Sequence, residues 1–342
     1  MSEISSGSEW DLIIVGGGAA GFFSAIITAE HSSSPMRIAI LEKSSQLLQK
    51  VKISGGGRCN VTHDCLDPKE LAKSYPRGHK SLIGPFHHFG PTETIEWFNN
   101  KGVELKVEKD GRMFPTTDSS QTIIDCLTEA AINLGVEIFT KSGVSSVTSE
   151  SDQFTLNVGE DITVKTKKLL LATGGTRLTA GAKLAEELGH TLHPPVPSLF
   201  TFTIDHPLVE DLEGLSVNPS SVRISGTKYE NTGPLLITHW GVSGPGILKL
   251  SALAARDLAE IELIEIINNC ELPVSGKSIN KDEFVTCGGV ELKEINLKTM
   301  ESKLIPNLYF SGEIMNIDGV TGGFNFQNAW TSGYLAGINL CS

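Results

Sequence analysis

The chain has 342 residues, with 28 Lys+Arg against 40 Asp+Glu and a formal charge of −12. That length buries a sizeable core, in one domain or two, without disulfide staples. The acidic balance repels phosphate backbones and anionic lipid, so neither nucleic acid nor a membrane is an expected partner.

The start, MSEISSGSEW, is polar and acidic and lacks the basic and apolar regions of a secretion signal. No run approaches the roughly 18 apolar residues of a membrane span. The six cysteines are scattered, with neither metal-ligand spacing nor a disulfide framework. A reduced, cytoplasmic chain without a metal site is expected.

Residues 11–15 read as a short buried strand ending in glycine. Residues 19–29, small and apolar, predict a helix packed closely on it. MRIAILEKS predicts a second strand ending at Glu42. Together these form a βαβ unit, the start of a parallel sheet. Amphipathic helices are predicted over 91–101 and 121–134, and a buried strand at VEIFT. A strand pair and an apolar strand over 169–172 follow, running into Thr173-Gly174-Gly175.

The prolines of HPPVPSL rule out helix and mark a domain crossing. Residues 200–237 alternate and predict a separate antiparallel domain, with a helix over 247–267. LYFSG is the last strand, and a small-residue helix over 329–337 closes the chain. The expected fold class is α/β: a Rossmann-like domain with an inserted antiparallel β-rich domain. Its parts are 10–195 and 286–342 for the nucleotide domain, and 196–285 for the insertion.

Two glycine loops carry the chemistry. Gly16-Gly17-Gly18-Ala19-Ala20-Gly21 fits G-x-G-x-x-G between a strand and a helix. Gly16 makes the tight turn, Gly18 admits a pyrophosphate and Gly21 lets the helix pack. The helix start supplies N–H donors to phosphate. Glu42, about 20 residues further on, is placed to accept from ribose hydroxyls.

The second loop, KVKISGGGRCNVTH, has no use in an enzyme that binds NAD alone. In an FAD enzyme the flavin and ribityl extend past the pyrophosphate. Gly55, Gly56 and Gly57 then let the backbone lie against the cofactor, and Arg58 and Asn60 offer donors. LLLATGG suits a strand end beneath the pyrophosphate. In GEIMNIDGVTGGFNFQNAW, Glu313 or Asp318 is a candidate for ribityl hydroxyls, and the start of the last helix for the flavin pyrimidine.

These motifs, with GRMFPTTDSSQTIIDCL, THWGVSGPGILKLS and TCGGVELKEINLKTMESK, resemble the BaiN-type (also YhiN-type) family of NAD(P)/FAD-dependent oxidoreductases over nearly the whole chain. The resemblance implies FAD contacts at Gly16, Gly18, Ala20 and Gly21, with Glu42 and Lys43 at the adenosine ribose. It implies Ser54, Arg58, Cys59 and Asn60 along the cofactor, Val144 beside adenine, and Thr173 and Gly174 near the pyrophosphate. Gly312, Glu313, Asp318, Gly323, Phe324 and Asn325 fall at the ribityl and isoalloxazine. Two departures stand out. About 35 residues separate Ser251 from Cys287, where the family carries a helical domain. The stretch after LATGG is short as well.

Cys59 and Cys65 are set aside as a redox pair, and His87-His88 as a metal site. His239 is read as a packed structural histidine. The expected activity is hydride transfer between flavin N5 and a small or mid-sized organic substrate. NAD(P)H is a candidate reductant, and with no second βαβ unit for it, it must enter the substrate cavity. An FAD-binding redox sensor or interaction protein with reduced catalysis is the alternative. A flavoprotein that modifies RNA is a third reading, which the negative charge opposes.

Overall fold

The apolar run before the first glycines is a buried strand, β1 (Glu9–Val15). It belongs to a computed structural model that describes residues 4–150, 152–175, 180–207, 209–257, 263–266, 270–278 and 285–341. α1 (Ala19–His31) and β2 (Ile38–Leu41) complete the βαβ unit, and Glu42 follows the strand directly. Next come α2 (Gln49–Gly57), β3 (Thr62–His63), α3 (Pro68–Ala72), α4 (His79–His88), α5 (Pro91–Asn100), β4 (Leu105–Val107) and β5 (Arg112–Pro115). α6 (Ser120–Asn133) starts where the Ser119 hydroxyl accepts from the Gln121 N–H. β6 (Glu137–Phe139), β7 (Val144–Glu150), β8 (Gln153–Val158), β9 (Ile162–Leu171) and α7 (Ala180–Glu187) follow.

The chain divides into two units, one of Met1–Pro194, Gly288–Ile317 and Gly322–Ser342, the other of Pro195–Cys287 and Asp318–Thr321. It leaves the first along the proline-rich β10 (Leu192–Ser198), extended because proline fixes φ and donates no N–H. The second unit holds β11 (Thr201–Thr203), β12 (Ser216–Ile224), β13 (Glu230–Thr238), β14 (Gly241–Ser243), α8 (Pro245–Ala254), β15 (Leu263–Ile266), β16 (Cys270–Pro273) and β17 (Gly276–Ser278). The return runs along β18 (Val285–Val290) to β19 (Ile295–Asn296), β20 (Glu301–Ser302), β21 (Leu308–Phe310) and α9 (Phe324–Leu340).

In the first unit β21, β9, β1, β2 and β6 are adjacent in that order and all parallel. β9 is long enough to pair twice: residues near its start lie antiparallel to β8, and Leu169–Leu171 pair with β21. Its Leu169, Leu170 and Leu171 are wholly buried, as a central parallel strand requires. α1 and α9 pack closely through small residues. A Cβ on Gly333 would stand 3.3 Å from the Ala20 carbonyl oxygen, and one on Gly337 2.7 Å from Ile27.

The second unit is a seven-stranded sheet whose pairings are antiparallel, in the order β16-β15-β12-β13-β14-β11-β17. α8 buries Ile247, Leu250 and Ala254 with Phe202, Val222, Ile224, Leu235 and Val242 of the sheet. The Ser251 hydroxyl accepts from the Phe200 N–H at 3.0 Å.

Three expectations are corrected. The helix predicted over 247–267 ends at Ala254, and Leu263–Ile266 is a strand; 258–262 and 267 lie outside the described residues. Ile264 and Ile266 are β-branched, and pairing with β12 outweighs the local helical pattern. The closing helix starts at Phe324 rather than 329, because Gly323 at φ 92° supplies its left-handed cap. His239 is exposed at the turn between β13 and β14, edge-on to Trp240 at 4.3 Å.

A candidate nucleotide site at the carboxyl edge of the parallel sheet

From β1 the sheet grows through β2 to β6 on one side and through β9 to β21 on the other. In open parallel sheets, ligands bind outside the strands' carboxyl ends where the order reverses. Gly16, Glu42, Ala172–Gly174 and Ser311–Glu313 directly follow the ends of β1, β2, β9 and β21. Four predicted segments thus share one edge.

The first loop is set by backbone contact. A Cβ on Gly16 would stand 2.3 Å from the Ala172 carbonyl oxygen, and one on Gly21 2.0 Å from that of Gly16. Gly18 is different. It is the N-cap of α1 in extended backbone, has no side-chain cap, and a Cβ there would meet nothing within 4 Å. The first turn of α1 carries no acidic side chain. This is an uncapped helix start in open space, the arrangement that takes a phosphate. Gly312, at φ 76°, closes on α1: a Cβ there would lie 2.9 Å from that of Ala20.

Glu42 accepts from the Gly17 N–H and the Ser44 N–H, each at 2.8 Å, one on each carboxylate oxygen. The loop and β2 are therefore locked together, and each oxygen retains acceptor capacity for a hydroxyl. The Ser142 N–H donates to the Glu42 carbonyl at 2.8 Å, and Gly143 lies against Lys43, which brings Val144 to this end of the edge. Lys43 itself is exposed.

The second loop has another cause. Ser54 leaves helical geometry at ψ 151°, and Gly55, Gly56 and Gly57 follow at φ 57°, 69° and 85°. Three successive left-handed residues need glycine on conformational grounds alone. The Cys59 N–H closes the turn on the Ser54 carbonyl at 3.0 Å. Arg58 lies over the Phe114 ring and pairs with Glu108 at 2.6 Å and Asp118 at 3.5 Å. Cys59 is wholly buried, and burial pushes its thiol up to about 12, so it is neutral and unreactive.

Beyond Cys59 the loop meets α9. The Asn60 amide, in its satisfied orientation, donates to the Thr62 carbonyl at 3.0 Å and accepts from the Gly323 N–H at 2.9 Å. The Trp330 indole N–H donates to the Val61 carbonyl at 2.9 Å. The Thr62 hydroxyl donates to Gln327 at 2.5 Å. His63 stacks on Phe324 at 4.7 Å, and the Tyr75 hydroxyl donates to the Phe324 carbonyl at 2.6 Å. Asn325 is half-buried in the same first turn. The second and last motifs are one assembly that fixes the start of α9. Lys50, at the head of α2, pairs with Glu313 at 2.5 Å.

Asp318 is the exception. It belongs to the second unit, is wholly buried, and accepts from the Ser198 hydroxyl at 3.1 Å. Sequence reasoning missed Lys50, Gln327 and Asn328. Burial of Gln327, Asn328, Thr331 and Ser332 on one helix is a feature of the packed fold that the sequence pattern does not reveal. Among the described residues no His, Cys, Asp or Glu cluster is placed to hold a metal ion, and no helix is long and apolar enough to cross a membrane.

The family model described as HI0933-like protein Rossmann domain matches residues 10–339. The chain belongs to the HI0933-like Rossmann family. This is the FAD-binding family that its motifs resemble. The chain is similar to the ribosomal RNA dihydrouridine synthase of Escherichia coli K12, with 28% identity over 402 residues, 97% of this chain and 98% of that protein. It is also similar to the 3-dehydro-bile acid delta(4,6)-reductase of Clostridium scindens, with 24% identity over 404 residues, 95% of this chain and 97% of that protein. An alignment of 402 positions exceeds the 342 residues here, so the E. coli relative carries sequence that this chain lacks. Among solved structures, the fold is similar to a 3-ketosteroid-delta4-(5alpha)-dehydrogenase from Rhodococcus jostii RHA1, at a TM-score of 0.60 and 14% identity, with 100% of both chains covered.

The residues present fit FAD. The open space at Gly18 faces an uncapped helix start suited to pyrophosphate, and Glu42 stands at the neighbouring strand end with acceptor capacity for ribose.

Proposed function

We propose that this protein is an FAD-dependent reductase of carbon–carbon double bonds conjugated to a carbonyl group, with NAD(P)H as electron donor. The observation that carries the reading is the uncapped start of α1 beside Glu42, at the point where strand order reverses. When bound there, FAD supplies a hydride carrier. Gly18 and the first N–H groups of α1 hold the pyrophosphate, and Glu42 takes the adenosine ribose. Gly312, Glu313 and the start of α9 attend the flavin end, where the helix dipole favours negative charge. The Asn60–Gly323 bond keeps that helix start in place.

The substrate class rests on the chemistry that two relatives' names share. Making dihydrouridine reduces a ring double bond conjugated to a carbonyl; a delta(4,6) bile acid with a 3-oxo group presents the same electrophile. Both take hydride at a carbon conjugated to the carbonyl, β in the uracil ring and β or δ in the dienone, and a proton at an α or γ carbon. For this chain a small or mid-sized organic substrate is favoured over RNA by the charge of −12.

The test is anaerobic mixing of the purified flavoprotein with NADH or NADPH, following loss of the flavin's visible absorption. Reduced protein is then offered a steroid enone and, separately, unmodified ribosomal RNA. Bleaching by a nicotinamide and recolouring by the enone supports the proposal. Recolouring by RNA alone replaces the substrate class, and a protein that binds no FAD overturns the reading. A redox sensor without turnover is favoured by one observation, the sequence missing relative to the E. coli protein; bleaching without recolouring by either compound is its signature.

A further inference from the structure

One ion pair has its two ends on opposite flanks of the uncapped start of α1. On the first flank, the Leu48 N–H donates to the Gly17 carbonyl at 2.9 Å, and Leu47 lies against Gly17. Leu48 is the N-cap of α2, so Lys50 stands in the first turn of a helix pinned to the first glycine loop. On the second flank, Gly312 closes on Ala20, and Glu313 follows it in the chain. Lys50 Nζ meets Glu313 Oε2 at 2.5 Å. Between the flanks is Gly18, where a Cβ would meet nothing within 4 Å. The pair therefore joins the two flanks and leaves space at Gly18.

Charge gives a cation a purpose at this point. A pyrophosphate diester carries two negative charges, and a helix start supplies only about half a positive one. The first turn of α1, Ala19-Ala20-Gly21-Phe22, has no basic side chain. Arg58 is engaged by Glu108 and Asp118, and Lys43 follows Glu42 at the β2 end of the edge. Lys50 is exposed, and its ammonium carries three N–H donors on a long flexible stem. An ion pair this open to solvent contributes little, so turning Lys50 toward an anion at Gly18 costs little.

We propose that Lys50 is a cofactor-binding residue whose ammonium donates to the pyrophosphate of FAD. The proposal rests on the FAD reading above and adds the counter-charge that the glycine loop lacks. As Lys50 turns to the phosphates, the Glu313 carboxylate gains acceptor capacity for the ribityl hydroxyls. One ion pair is exchanged for two cofactor contacts.

The test uses purified wild type, Lys50→Met, Glu313→Gln and the double variant, each stripped of flavin and titrated with FAD and with ADP. ADP carries the diphosphate without the flavin half. Lys50→Met should weaken FAD and ADP alike, by about tenfold, the loss of one charge-assisted hydrogen bond. Glu313→Gln should tighten ADP, because a negative charge and a competitor for Lys50 are both removed. The double variant should bind ADP about tenfold more weakly than Glu313→Gln alone. All three variant apoproteins should melt within about 3 °C of wild type, so that lost affinity is not lost fold. Wild type that binds neither FAD nor ADP fails the FAD reading itself. Wild type that binds both, with Lys50→Met unchanged, overturns the Lys50 assignment alone. Equal ADP affinity in Glu313→Gln and the double variant overturns it as well, since Lys50 then only neutralises Glu313. Weakened FAD with unchanged ADP in Lys50→Met does the same, because the ammonium then belongs to the flavin half.

Discussion

The two glycine loops look alike in sequence and differ in physics. In the first, Gly16 and Gly21 are held by contact, with backbone oxygens 2.3 and 2.0 Å from where a Cβ would stand. In the second, Gly56 and Gly57 have nothing within 4 Å of that position, and left-handed φ alone demands them. Gly55 combines both constraints, since a Cβ there would lie 2.7 Å from the Phe114 ring. A loop tightened by contact is a cradle with one open position, Gly18. A loop tightened by dihedrals is a chain reversal, and it delivers Asn60 to the start of α9.

The contrast is broken most severely at Gly18. Gly18→Asp gives α1 a side-chain cap and a carboxylate at the positive end of its dipole. The apoprotein should gain about 0.5 kcal/mol in denaturant unfolding. FAD binding should be lost in a fluorescence titration, because the carboxylate occupies and repels the phosphate position. Stable protein that still binds FAD would remove Gly18 from the cradle.

Gly21→Ala comes next. Alanine is the better helix former by about 1 kcal/mol, but the new methyl lies 2.0 Å from a backbone oxygen. The clash wins, with a net loss of about 1–3 kcal/mol by thermal or denaturant melting. Gly56→Ala meets no atom and carries only the left-handed penalty, about 1 kcal/mol. Gly56→Asn should lose less than that, since asparagine tolerates this region. Equal losses at Gly21 and Gly56 would erase the distinction between contact and dihedral.

The smallest effect sharpens the second loop. Cys59, Tyr75, Cys126 and Tyr309 are all raised by burial, to about 12 for Cys59 and Tyr309 and about 11 for Cys126. In the unfolded chain these groups ionise first, from about pH 9 upward. Their contribution is thus whole below pH 9 and is lost as pH rises toward 12. Unfolding midpoints measured from pH 8 upward should fall. Cys59 should resist iodoacetamide until the protein unfolds, with or without FAD, because protein atoms alone enclose it. Rapid labelling of Cys59 in native protein would show that the Ser54–Cys59 turn opens.

Much of the nucleotide edge was legible beforehand because its signals are local. A strand, a glycine turn, a small-residue helix and an acid after the next strand are all short-range features, and they predicted β1, α1, β2 and Glu42. Local patterning failed at Leu263–Ile266, where a short apolar run suits helix or strand equally and a neighbouring strand decides. It also failed at Phe324, where a glycine cap and burial, rather than propensity, set the helix start.

The sequence by itself determined the Rossmann core, the family and the residue types at the cradle, since glycine and carboxylate are demanded at fixed spacing from a strand end. Tertiary structure alone decided the partners: Asn60 with Gly323, Lys50 with Glu313, Thr62 with Gln327. Those pairs join residues more than 200 positions apart, brought together because β21 lies beside β9 and α9 packs on α1. It also separated Gln327 from Asn328. Adjacent amides face different surroundings on a helix, and only the packed fold leaves one satisfied and the other with its oxygen enclosed and unpaired.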